Sequence, residues 1–238
     1  MRNDLAIMLL ATLVSYPIGL GLCQPWLLPL LNALPAYIVL VHRLRKGERG
    51  GAVRAMLWWA AALAIVGTLA FVWWPEPLGP LVVNGPEYKE EMFRWIRTGL
   101  GREGSPRLFL PQHLLHLAAF VAIGLLTVSA GAILMGALLM NQMSFYVAAL
   151  AKAGTPAWGV ALLGWSPWAI ARVAAFATLG VLLAEPFFAR VFPAARGRLK
   201  ARGRGAYVMA VLSGILADWF LKALLVPIWG RWLRALLP

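Results

Sequence analysis

Residues 111–151 read PQHLLHLAAFVAIGLLTVSAGAILMGALLMNQMSFYVAALA, an almost unbroken apolar run. As one helix rising ~1.5 Å per residue it would reach about 60 Å, roughly twice the hydrocarbon thickness of a bilayer. The run must therefore break and turn back. The break is expected near Ser129, Ala130 and Gly131, giving a fourth span from about His113 and a fifth ending near Leu150. The alternative is a re-entrant pair around Gly131 and Gly136.

The flanking sequence extends the same pattern. Apolar runs at 5–22, 25–42, 53–74, 167–189 and 206–229 complete an all-α bundle of about seven transmembrane helices in one domain, 1–238. Of the 238 residues 61% are hydrophobic and only 13% charged, which excludes an ordinary soluble domain. Pro29 and Pro35 are expected to kink the second span. The first span follows Met-Arg-Asn-Asp without a small-x-small cleavage site and reads as membrane-spanning rather than as a signal peptide.

Net charge is +13, and its placement assigns it to topology. One basic group is Arg43, Arg45, Lys46, Arg49 and Arg54, and another is Arg190, Arg196, Arg198, Lys200, Arg202 and Arg204. Both fit cytoplasmic loops of a multi-pass cell-membrane protein with its N-terminus inside and C-terminus outside. Aromatic-spaced base-stacking patterns are missing, so the bilayer is the expected partner and nucleic acid is not. A single cysteine, Cys23, excludes a disulfide framework.

The charge-balanced loop 75–110 carries five bases and five acids and is expected outside. Within it Asn84-Gly85-Pro86 opens a short helix that Gly99 closes. Tyr88, Met92, Trp95 and Ile96 share one apolar face, so this amphipathic helix should cap the bundle or lie on the membrane. Glu90, Arg94 and Arg97 take the solvated side, while Glu87 and Glu91 flank the apolar face. Pro111 marks the next helix start, with His113 and His116 three residues apart on neighbouring positions.

Two imidazoles and two carboxylates are ligand types for Zn, Fe or Mn, so Glu87, Glu91, His113 and His116 form the candidate metal set. The catalytic candidates are Glu91 as general base, His116 as proton carrier and Arg172 as an anion clamp approaching Glu87 or Glu91. Glu90-Glu91 followed by Arg94, with Phe109 four residues before His113, resembles the glutamate-dependent intramembrane proteases of the CAAX-processing type. The resemblance spans these two short motifs. The family's arginine stands one residue later and its further histidine has no counterpart after His116, so the activity is not carried over.

Ionisable residues inside spans are expected to face the bundle interior. Asp218 and Lys222, one turn apart, can satisfy each other or serve function, and Glu185 is expected to snorkel or to pair with Arg190. Asn141, Gln142, Ser144 and Tyr146 read as hydrogen-bonding glue or as the lining of a polar path, and Ala132 with Gly136 as a close helix contact. Three functions remain: a membrane-embedded hydrolase acting on a lipid-linked or membrane peptide substrate, a transporter or channel, and a non-catalytic subunit of a membrane complex. Nucleotide loops, HExxH pairs and GxSxG elbows are absent from the sequence.

Overall fold

The computed structural model describes residues 2–200 and 203–237, without the side chains of residues 2–4, 77 and 200; Arg202 of the second basic loop lies outside the described residues. Among the described residues the chain is helical with no strands, and seven helices are long and apolar enough to span a membrane. These are α1 (Arg2–Leu22), α2 (Leu27–Arg45), α3 (Arg49–Trp73), α6 (Pro106–Leu126), α7 (Ala130–Lys152), α9 (Pro167–Val191) and α11 (Arg204–Leu236). Shorter helices join them: α4 (Pro75–Leu78), α5 (Gly85–Thr98), α8 (Ala157–Leu163) and α10 (Pro193–Lys200).

The long apolar run breaks between Leu126 and Ala130, where Val128 (φ 51°) and Ser129 (φ 68°) both take left-handed backbone. For a β-branched valine that conformation is strained and must be held by its surroundings. Thr127 supplies one hold, donating to the Ile123 carbonyl and accepting from the Gly131 amide. Ser129 supplies another through its hydroxyl bond to the Gly180 carbonyl of α9. Gly131 fits because a Cβ there would stand 2.3 Å from Ile123.

Enclosure orders the helices around α7. Some 56% of its most apolar stretch is buried, against 22% for α6 and 17% for α11, which leaves those two on the rim of the bundle. The helix α5 lies across one end, burying Met92, Trp95 and Ile96 against α7 and α11 and exposing Glu90, Arg94 and Arg97. At the other end Arg49 of α3 grips the buried Glu185 of α9 with two nitrogens and donates to the Leu199 carbonyl of α10. Glu185 therefore pairs with Arg49 rather than Arg190. Pro29 falls in the first turn of α2, where its absent N–H costs nothing, so Pro35 is the interior proline there. Pro111 is interior to α6, because Pro106 has taken the helix start.

Candidate functional site

Near the α5 end, four elements place five ionisable side chains in one buried cluster. Asp218 and Lys222 share the inward face of α11, His113 comes from α6, Arg172 from α9, and Glu103 from the 3-10 turn Arg102–Gly104 between α5 and α6. That turn is folded by glycine. Gly99 (φ 74°) and Gly101 (φ 125°) need left-handed backbone, and a Cβ on Gly104 would meet the Gly99 carbonyl at 2.4 Å.

Lys222 is fully buried, and its ammonium lies 2.8 Å from Glu103, 3.4 Å from His113 Nε2 and 4.6 Å from the centre of the Phe109 ring. Burial pushes the Glu103 carboxyl up, but the Lys222 ammonium, helped by Arg172, outweighs it and holds Glu103 below the usual carboxylate range. Asp218 therefore pairs elsewhere than with Lys222: its Oδ2 is 3.1 Å from His113 Nδ1 and 4.0 Å from Arg172 Nε. The His113 contact is short but not lined up as a hydrogen bond, and among the described residues Asp218 Oδ1 has no partner. An acceptor facing inward is left open.

The ring of His113 has a defined tautomer. Arg172 Nη1 stands 2.6 Å from His113 Nε2. A guanidinium only donates, so Nε2 accepts, the ring is neutral, and its proton sits on Nδ1 toward Asp218. With Nε2 taken up by Arg172, the ring can act as a base only once that guanidinium is drawn away.

Four of the five cluster side chains, all but Lys222, line one end of a cavity of about 150 Å³. Tyr88, Gln112, His116 and Gln142 complete the polar end, and Leu40, Met56, Trp59, Phe120 and Ile133 enclose the other. Along α7 the lining runs from Met143 to Ala132, eleven residues apart or roughly 16 Å. So small a volume over that length makes a narrow slot, polar at one end and apolar at the other. Burial, with the Glu103 charge adding to it, keeps the Tyr88 phenol well above its ordinary value and thus protonated.

The sequence-predicted residues divide. His113, His116 and Arg172 line this cavity, but Glu87 is exposed and Glu91 stands 3.5 Å from Arg102, neither of them in the lining. Among the described residues no three His, Cys, Asp or Glu side chains gather in a way that could hold a metal ion. Arg172 meets His113 and Asp218 instead of Glu87 or Glu91. Asn141 turns away from the slot, accepting from Tyr16 and Asn32, so it is glue between helices. Gly136 faces the Trp59 ring along the slot, whereas Ala132 makes the close contact, with Gly124 of α6. Glu103 is the residue that sequence reasoning missed; its signal was an acid set among three glycines just before a span.

Fold and cluster together define a polytopic helical membrane protein that encloses a charged site among its spans. Compared with known proteins, the chain matches no family model, no curated protein and no solved structure.

Proposed function

We propose that the protein is a membrane-embedded hydrolase whose substrate is an amphiphile with an anionic head group. The observation that carries this reading is the two-ended slot, with His113, Arg172 and Asp218 at one end and an apolar tube at the other. The head group draws Arg172 into an ion pair, which leaves His113 Nε2 with only the longer 3.4 Å contact to Lys222. A water then passes its proton to Nε2 as its oxygen attacks the head-group carbonyl or phosphoryl centre; Asp218 steadies the imidazolium, and the ester bond breaks as the imidazolium returns that proton to the leaving alkoxide oxygen. Tyr88 is the donor available to the developing oxyanion. With both basic loops in the cytoplasm, the N-terminus is inside, the C-terminus is outside, and the polar end serves the outer leaflet of the cell membrane.

A second reading, transport, is favoured because the slot continues past the cluster to Leu40 and Ile133, toward the basic-loop side. Equilibrium binding of dodecyl phosphate to detergent-purified protein tests the shared premise, and vesicles loaded with it separate the two. Arg172→Gln should weaken binding about tenfold or more, the worth of one buried charge-assisted contact, while exposed Glu87→Gln leaves it unchanged. Equal binding by wild type and Arg172→Gln contradicts the head-group site. Release of unaltered dodecyl phosphate from the vesicles would favour transport over hydrolysis.

A further inference from the structure

The opposite end of the molecule holds a second, separate cleft. It lies between α9, α10 and α11, has a volume of about 640 Å³, and carries Arg190, Arg196 and Arg204 along one side. Pro186, Ala189 and Leu199 form its apolar side, and Phe187 next to Pro186 is 47% exposed. The wall of the cleft is thus continuous with the lipid-facing surface of α9.

The carboxylate in this cleft is already committed. Glu185 is held by two nitrogens of the buried Arg49, and Arg204 reaches it only at 3.8 Å. The other acid described on this side, Glu48, is bound by Arg43, whose hydrogen bond lowers the Glu48 carboxyl. Among the described residues no acid pairs with Arg190 or Arg196. Arg190 stands in the last turn of α9, and Arg196 is on α10, which is pinned by the buried Ala195 and Leu199, by Arg49 on the Leu199 carbonyl, and by Arg198 on the Lys46 carbonyl. Arg190 and Arg196 thus present exposed guanidinium groups beside an apolar wall, with both acids whose side chains are described there already paired, an arrangement that attracts a counter-charge from outside the chain.

We propose that the cleft binds a phosphate-bearing anion through Arg190, Arg196 and Arg204, with a membrane phospholipid or free phosphate as its source. Guanidinium groups suit this ligand because their forked donors match phosphate oxygens. The lipid would lay its chains along Pro186 and Phe187.

The test uses the full chain in nanodiscs of phosphatidylcholine with a minor fraction of phosphatidylglycerol, read by native mass spectrometry of retained lipid. Arg190→Gln/Arg196→Gln is compared with Lys46→Gln/Arg54→Gln, which removes equal charge from the same side outside the cleft. The expected result is phosphatidylglycerol retention in wild type and the Lys46/Arg54 variant, reduced roughly tenfold or more in the Arg190/Arg196 variant. Added inorganic phosphate assigns the source: displacement of the lipid means that the phosphate group alone is recognised, and no displacement means that the chains contribute. A melting temperature in pure phosphatidylcholine unchanged between the two variants shows that both remain folded. Equal retention by both variants, or phosphatidylcholine retained as well as phosphatidylglycerol, overturns the proposal.

Discussion

His113 sits between two cations, Arg172 at 2.6 Å and Lys222 at 3.4 Å, and a residue so placed must accept. His113→Gln keeps an acceptor and should preserve the fold while removing the base, whereas His113→Leu should also lower the melting temperature by leaving both cations without it. Thermal unfolding of the two variants checks the difference. Lys222 depends on Glu103 more directly, and Glu103→Gln should cost about 3 kcal/mol at neutral pH by leaving a buried ammonium unpaired. The sign with pH follows from the lowered Glu103 carboxyl. Its stabilisation is complete above the ordinary carboxylate pKa of about 4 and is lost as pH falls through the lower value of the folded state. Melting curves across the acid range should show that limb in wild type and a flatter one in Glu103→Gln.

At the scale of elements, what the sequence discloses is whatever a single helix decides by itself. The span positions and the buried face of α5 were legible because apolar spacing and run length are local properties, and Met92, Trp95 and Ile96 are buried as that spacing requires. The ion pairs were not. Asp218 and Lys222 stand at the i,i+4 spacing that suggests a pair, yet His113 and Glu103 from other elements claim them. Glu185 had Arg190 five residues away and took Arg49, 136 residues away, because the buried face of α9 meets α3 there. Arg49→Met should therefore destabilise the α3–α9 contact by about 3 to 5 kcal/mol, and the double change Arg49→Met/Glu185→Leu should recover most of it. Chemical denaturation of the two in detergent checks this; equal losses would mean that the pair is not the reason.

In the whole molecule, the site depends on rim helices more than on the core. The core is α7 with α2, α3 and α9 around it, whereas His113 rides on α6 and both Asp218 and Lys222 on α11, the two least enclosed spans. The site is completed only when loop, rim and centre converge, a relation with no trace in the hydropathy of any one segment. The decisive measurement is mass spectrometry of a total membrane lipid extract incubated with reconstituted wild type, His113→Gln and Glu87→Gln proteins. One class of anionic amphiphile should lose its head group with wild type and Glu87→Gln and persist with His113→Gln. Turnover undiminished in His113→Gln, or no class consumed by wild type, would contradict a hydrolase built on His113.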